Sequence, residues 1–445
     1  MDELRVTIEL HAPLLAGSPR PAPSPQVQES ACYLPGAVLR GAVGSALARI
    51  CGHTWHPVAP SAGESACDFQ CVFLSNPPPR FGPCYPVGGT NRQSYPFPVT
   101  ARTCKHYHGF RWDDEEAHGL QDILLRQWVI EELYEQTGRL HKDYPLHCGE
   151  CGAKLEAVGS GVYEPQEDGT YRQPRVWLQR FSRVAMDRRR GVAADQLLHT
   201  LEVIAEEMDT GRRRSDWSKV YGITRLAGRV WTAAGTDLLY RQLEAIFCLG
   251  GDTARGLGVV HISVDRSDPV AETVPPERVE ALAAAVRGEI PWDQMARQET
   301  DLAARLARFN GAMRRMYDDY GLSWPASVLF FSVDLLSDTI WPQGGTAAGL
   351  LPTQLAGAEG VRAFAGAHVH SGWHTAARMM RRTELAIDAG SVFLYRLPGA
   401  NDPIRLQVTL DTLLALERDG AGRERERGYG WVQICTPFHL EVKPK

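Results

Sequence analysis

The chain opens on strict alternation: Leu4, Val6, Ile8 and Leu10 are apolar, and Arg5, Thr7 and Glu9 between them are polar. A period of two predicts a strand with one buried face. Residues 17–26, GSPRPAPSPQ, exclude regular structure, because each proline fixes φ and removes a donor. From Pro35 the period lengthens. Leu39, Val43, Leu47 and Ile50 fall on one face of a helix predicted over 34–50, and Pro35 suits its start. Residues 51–110 are rich in Pro, Gly, Cys and aromatics without sustained periodicity. A stretch of that kind points to an insertion pinned by a metal or a partner. A helix is predicted at about 119–137, and Cys148-Gly-Glu-Cys151 closes the region.

Within 176–208 an arginine turn, Arg188-Arg189-Arg190-Gly191, precedes an apolar stretch. From Thr236, Leu239, Leu243, Ile246 and Phe247 share a helical face that stops at Gly250-Gly251. A glycine loop and a strand follow, to Val264. Residues 266–278 read as a polar linker, and 276–320 as helix with a break at Pro291. Leu302, Leu306, Phe309, Met313, Met316 and Tyr320 form one stripe, the mark of packing against a core. A further unit begins near Ser327 with the strand SVLFFSVDLL; near the end come the helix LDTLLALERDG, the loop AGRERERGYG and the strand WVQIC. The order helix, glycine-and-arginine loop, strand thus occurs twice, over Gly250–Val264 and Gly420–Cys435, which points to a duplicated unit.

Composition narrows the classes. The chain has 445 residues, enough for about two to four domains. Hydrophobic residues at 44% and charged residues at 23% describe a globular chain. No apolar run approaches the ~18 residues of a membrane-spanning helix. The opening MDELRVTIEL carries acidic residues and no apolar signal segment, so a cytoplasmic location without membrane association is expected. A net charge of −5 excludes a chain basic all over and leaves room for a local nucleic-acid groove.

Both glycine loops end alike, in Arg255-Gly256-Leu257-Gly258 and Arg427-Gly428-Tyr429-Gly430. Glycine permits positive φ, successive N–H groups make an anion-binding concavity, and an adjacent arginine adds a charged fork for phosphate. That chemistry suits a polyphosphate backbone such as RNA. A nucleotide P-loop would need a following Lys-Ser/Thr pair, and a dinucleotide fingerprint would run strand to helix; neither holds. A tight helix-to-strand turn is the alternative. Further basic clusters are Arg188–Arg190, Arg212–Arg214, and Arg378, Arg381 and Arg382, with a solvated charged face as the alternative for each. Trp217, Tyr221, Trp373 and Tyr429 lie beside these motifs as stacking platforms or as core.

Eight of the ten cysteines lie between Cys32 and Cys151, and in a cytosolic chain such clustering reads as metal ligands. Cys148 and Cys151, followed by Gly152, set two thiolates on one tight turn, and two ligands from elsewhere would complete a tetrahedron. The best partners are Cys104 and one of His106, His108 and His118. A second group, Cys67, Cys71 and Cys84 with Cys51 or His53, has looser spacing; Cys248 and Cys435 read as packing. His368, His370 and His374 follow no metal or acid–base pattern, no nucleophile elbow is present, and no catalytic residue is assigned.

Four stretches resemble the RAMP superfamily of CRISPR-associated proteins: LPGAVLRGAV (34–43), MDRRRGVAADQLLHTLEVI (186–204), GGDTARGLG (250–258) and RERGYGWVQICTPFH (425–439). WSKVYGITRLAGRVW (217–231) and HSGWHTAARMMRRTELAIDAGSVFLYRL (370–397) make the chain most similar to the tandem-RAMP subunit of type III-D effector complexes. The resemblance implies an α+β fold of two tandem ferredoxin-like (RRM-like) RAMP domains. The first would span 1–265 with a Cys-rich zinc-bearing insertion at about 51–155, followed by a helical bridge over 266–325 and a second RAMP domain over 326–445. It implies a non-catalytic crRNA-binding role in antiviral defence. The subunit would cap the repeat-derived 5′ handle, touch a backbone RAMP subunit and the large signature subunit, and meet target RNA only indirectly.

Carried onto this sequence, the RNA-binding set is Arg40, Arg188, Arg189, Arg190, Lys219, Arg225, Arg255, Gly256, Gly258, Arg427, Gly428 and Gly430. The zinc set is Cys104, His118, Cys148 and Cys151, with His118 favoured because TCKHYHGF and AHGLQD resemble the family's insertion. Two other readings stand beside this one: a RAMP-type endoribonuclease that processes CRISPR repeat RNA, and a zinc-stabilised protein-interaction scaffold.

Overall fold

Leu4, Val6, Ile8 and Leu10 are fully buried, as their alternation requires. They belong to β1 (Asp2–Leu10), which is followed by α1 (Gly36–Ile50), β2 (Arg80–Phe81), β3 (Arg225–Thr232), α2 (Thr236–Glu244) and β4 (Val260–Ser267). The sheet runs β4-β1-β3-β2 with every pair antiparallel. Its apolar face packs on Leu39, Val43 and Leu47 of α1 and on Leu239 and Leu243 of α2. The computed structural model describes residues 2–18, 27–52, 66–89, 93–111, 116–139, 141, 144, 146–167, 169–267, 273–296, 301–341, 354–374 and 379–440.

A second unit repeats the strand order. Its elements are α3 (Leu302–Asp319), β5 (Val328–Leu335), β6 (Ala358–Phe364), β7 (Val392–Pro398), α4 (Pro403–Asp419) and β8 (Val432–Ile434). The sheet runs β6-β7-β5-β8, again antiparallel throughout. In each sheet the last strand in sequence lies beside the first, and the third beside the second. Leu306, Phe309 and Met313 of the expected stripe share one core with Leu406, Leu410 and Leu413 of α4. The stretch 276–320 divides into Pro276–Arg287, Trp292–Ala296 and α3. Asp301 caps α3 by accepting the Ala304 N–H at 2.7 Å and grips Arg278 through both carboxylate oxygens, at 2.8 and 3.0 Å.

Two excursions leave the first unit between β2 and β3. The Cys-rich insertion holds a three-stranded sheet of Ala101–Cys104, Leu120–Asp122 and Leu155–Ala157, and the helix Leu124–Thr137. The helix predicted over 119–137 therefore begins later, because residues 120–122 pair with 101–103. Its Leu124, Leu125 and Val129 pack into the core of the second unit, not the first.

The other excursion is a long antiparallel ribbon, Arg175–Asp187 against Val192–Arg213. The apolar stretch after the arginine turn is the second strand of this ribbon. Its base is tied down where Leu14 bridges Ile204, and where Leu201 and Val203 pack with Leu15 and Leu257. Toward the tip, Val184, Met186, Val192 and Leu198 are exposed.

The molecule is mixed α+β with eight α-helices among the described residues, none of them long and apolar enough to cross a membrane. Arg80 stitches the two units together. Its guanidinium sits 5.0 Å from the Trp231 ring and 4.8 Å from the Trp431 ring, and it donates to the Arg418 carbonyl. Burial, reinforced by Arg425 and opposed by Asp419, pulls Arg80 down to about 9.

Candidate functional site

The insertion brings Cys104, His118, Cys148 and Cys151 together, with one donor atom from each within 4.8 Å of the others. Cys104 ends the strand Ala101–Cys104. Cys148 and Cys151 lie on a turn closed by the Gly152 N–H donating to Cys148 O at 2.8 Å, with Gly152 at φ 69°. The Cys104 and Cys151 sulfurs are 3.6 Å apart, and His118 Nδ1 is 3.3 Å from Cys148 Sγ. A tetrahedral zinc with its usual bond lengths separates two sulfurs by about 3.8 Å and a sulfur from a nitrogen by about 3.6 Å.

Burial raises the Cys104 thiol, but the N–H groups of Tyr107 and His106 and the neighbouring thiols outweigh it and hold the thiol below its ordinary value. The donor set, its spacing and these N–H groups fit a zinc ion. Neither His106 nor His108 belongs to the group. Of the looser second cysteine group Cys51 and Cys67 meet, but no set of three of its ligands assembles among the described residues. Cys84 is buried in the first core, where desolvation pushes its thiol up to about 12, and His53 lies outside the described residues.

The two glycine loops have the same backbone. Asp252 and Glu424 each take φ 54°, one turn of 3-10 helix follows in each, and then Gly256 (φ 82°) and Gly428 (φ 98°). The Gly250 and Gly422 positions are equivalent: a Cβ at either would lie 2.4 Å from a carbonyl oxygen, Leu15 O or Ile340 O. Gly258 N–H donates to Pro13 O at 2.8 Å, and Gly430 N–H to Asp338 O at 2.9 Å. A Cβ on Gly258 would meet Leu249 O at 1.9 Å, and one on Gly430 would meet Ala421 O at 1.8 Å. These glycines are demanded by close backbone approach. The repeat read from the sequence is thus a repeat of hydrogen bonds as well.

The surroundings of the two loops differ. The Arg255 side chain is 63% exposed, and a Cβ on Gly256 would meet nothing within 4 Å. Arg427 is only 15% exposed; it pairs with Glu424 as Arg255 pairs with Asp252, at 3.4 Å. Gly428 lies against the first unit, where a Cβ would sit 2.7 Å from Phe81 O and 3.1 Å from Gly36 Cα. Arg40, on α1, faces the same enclosed loop; burial lowers it and Glu426 opposes the shift. Arg40 and Arg427 are half-buried and Gly428 and Gly430 are buried, so this part of the expected RNA-binding set is less open than the first loop. They sit in the contact between the units, because α1 starts where the second loop ends.

The other basic candidates are more open. Arg188, Arg189 and Arg190 are exposed at the ribbon tip, where Asp187 Oδ1 accepts the N–H groups of Arg189 and Arg190 at 2.8 and 3.2 Å. Lys219 is exposed and pairs with Asp209 at 3.4 Å, while Arg225 is half-buried and pairs with Glu9 at 2.7 Å across β3 and β1. Arg378 lies outside the described residues.

The sequence reading missed Arg183. It sits on the ribbon and reaches Asp252 at 2.8 Å, tying the ribbon to the open loop. It also missed Trp177, whose exposed ring lies 5.0 Å from Tyr221. The alternation Arg175, Trp177, Gln179, Phe181, Arg183 was the available signal. Tyr429 is buried, with its hydroxyl 3.4 Å from His370 Nε2, which places it in the core and not on a stacking platform.

No family profile and no curated protein matches the chain. Among solved structures it is similar to a chain of the Type III-B Cmr-beta complex bound to cognate target RNA. The identity is 10% and the TM-score 0.38, covering 88% of this chain and 86% of that one. It is also similar to a chain of the Type III-B Cmr-beta apo state (11%, TM-score 0.26, 59% and 96% covered) and of a Type IV-B CRISPR complex (14%, TM-score 0.25, 61% and 94% covered).

Proposed function

We propose that the chain is a non-catalytic RNA-binding subunit of a type III (III-D-like) CRISPR interference complex, holding the repeat-derived 5′ handle of crRNA. The observation that carries this reading is one connected surface. The open loop presents Arg255 and Gly256, Arg183 joins that loop to the ribbon, and the ribbon tip offers Arg188, Arg189 and Arg190. Phosphate contacts by arginine supply most RNA affinity, and the exposed Trp177–Tyr221 pair is suited to an unstacked base. The fourth-first-third-second strand order of both sheets supports reading each unit as a ferredoxin-like RAMP domain.

The Cys104–His118–Cys148–Cys151 group is the proposed structural zinc site of the insertion. A bound zinc would supply a tetrahedral crosslink there, and the three cysteines and His118 would hold the short strands and the turn around it. A backbone RAMP subunit and the large signature subunit are the proposed protein partners.

The test incubates the purified chain with labelled CRISPR-repeat RNA and runs native and denaturing gels in parallel at two salt concentrations. A shift that weakens with salt, on intact RNA, is the expected result. Discrete cleavage products would favour the endoribonuclease. An absent shift, for the chain and for its assembled complex, would favour the zinc-stabilised scaffold.

A further inference from the structure

Beside the enclosed glycine loop lies a second group of donors that the RNA reading does not use. His368 stands on the strand Ala367–His370, Asp388 at the turn that follows Glu384–Ile387, and Asp338 in the segment after β5. One donor atom from each lies within 4.8 Å of the others.

The hydrogen bonds settle which atom does what. His368 Nδ1 is 2.6 Å from Asp388 Oδ1. A carboxylate only accepts, so Nδ1 carries the proton and the Nε2 lone pair points the other way. Nε2 is shielded from solvent and has no hydrogen-bond partner among the described residues. The carboxylate oxygen it faces, Asp338 Oδ2, stands 3.8 Å away, beyond hydrogen-bond reach. The other oxygen, Asp338 Oδ1, is held by the Ala389 N–H at 2.9 Å. Both carboxylates are thus fixed by one turn, Asp388–Gly390. Gly366 permits the approach, since a Cβ there would lie 2.4 Å from Asp388 Oδ2.

We propose that His368 Nε2 and Asp338 Oδ2 bind a divalent cation between them, with Asp388 as the positioning residue. A metal ion about 2.1 Å from an imidazole nitrogen and a carboxylate oxygen spans a gap of this size. A carboxylate that takes the far ring N–H is the usual support of a metal-bound histidine, fixing its tautomer and raising its basicity. One nitrogen and hard oxygens suit manganese, magnesium or zinc, with water filling the remaining positions. Asp338 also anchors the second glycine loop, through its carbonyl and the Gly430 N–H at 2.9 Å, so the ion would sit at the foot of that loop. The site stands independently of the RNA reading.

The test titrates manganese into the full chain with its cysteine site already loaded with zinc, following free Mn²⁺ by electron paramagnetic resonance. One additional equivalent is expected. His368→Gln and Asp338→Asn should each weaken it at least tenfold, and Asp388→Asn about 10–100-fold. In the wild type, substoichiometric Mn²⁺ should broaden the His368 ring resonances before those of His118. This reading needs no variant to fold. Absence of the additional equivalent, binding that His368→Gln leaves unchanged, or broadening of His118 first would overturn the proposal.

Discussion

His439 Nδ1 lies 3.1 Å from Asp122 Oδ2, and its Nε2 lies 2.5 Å from Asp334 Oδ1, so one buried imidazolium joins the insertion to an interior strand of the second sheet. The side chain is fully buried. Burial alone would lower it, but Asp334 and Asp122 outweigh that and raise it to about 10. The carboxylates are themselves held. Asp122 accepts from Thr100 Oγ1 at 2.7 Å and from the Leu124 N–H at 2.9 Å; Asp334 accepts from Ser332 Oγ at 2.8 Å. Removing one partner strands a buried charge, so Asp122→Asn should cost about 3–5 kcal/mol of stability, read from urea unfolding at pH 7.

The same relationship sets a pH dependence. His439 is protonated more readily folded than unfolded, where its value is about 6.5. Its contribution is therefore fully present below about pH 6.5 and is lost as pH rises toward about 10. The urea midpoint should fall across that window in the wild type and fall less in His439→Gln. Equal slopes in the two proteins would remove this account of the site.

The glycine loops separate conformational strain from steric clash. Gly256→Ala adds a side chain into open space at φ 82°, a cost of about 1–2 kcal/mol. Gly258→Ala adds the collision with Leu249 O, worth about 1–3 kcal/mol more. Gly430→Ala should behave like Gly258→Ala, because its Cβ meets Ala421 O in the same way. Thermal denaturation of the three variants checks the order.

The arginines of the two loops should part company in binding. Arg255→Ala and the triple variant of Arg188, Arg189 and Arg190 should weaken RNA binding and lower its dependence on salt, by about 0.7 in logarithmic slope per lost phosphate contact. Arg427→Ala should leave that slope unchanged and lower the melting temperature, since its side chain is only 15% exposed. A filter-binding series in potassium chloride gives the slopes, and an Arg427→Ala protein that folds normally yet loses the salt dependence contradicts the assignment.

The zinc group has its own test. The purified chain should contain about one zinc by elemental analysis, and Cys104→Ser or Cys148→Ser should remove it. Chelation should open the segment 101–157 to proteolysis while β1 and α1 stay protected. Their core contains none of the four ligands, which explains the selectivity.

Much of the local structure was legible along the chain. The alternation of β1, the face of α1, the stripe of α3 and the turn of Cys148–Cys151 depend on residues within a few positions of one another; the three elements form nearly where periodicity places them, although Ile50 of the expected α1 face is exposed. The ribbon was legible only in part. Its second strand read as an apolar stretch because a two-stranded ribbon exposed toward its tip lacks a clean buried face. The helix expected from 119 starts at Leu124, because pairing of residues 120–122 with 101–103 overrides helical propensity.

Residue spacing alone pointed to two loops of the same kind and to a Cys148–Cys151 turn that Cys104 and one of His106, His108 and His118 could complete. Local conformation follows from which φ angles glycine allows and which faces are apolar, and both are written in neighbouring residues. Only the tertiary structure decided that Arg255 faces solvent while Arg427 is enclosed, that Gly428 abuts Gly36, and that His439 finds Asp122 and Asp334. Those pairs are far apart in the chain. They meet because two apolar cores pack side by side, and no local period records which surfaces that packing covers.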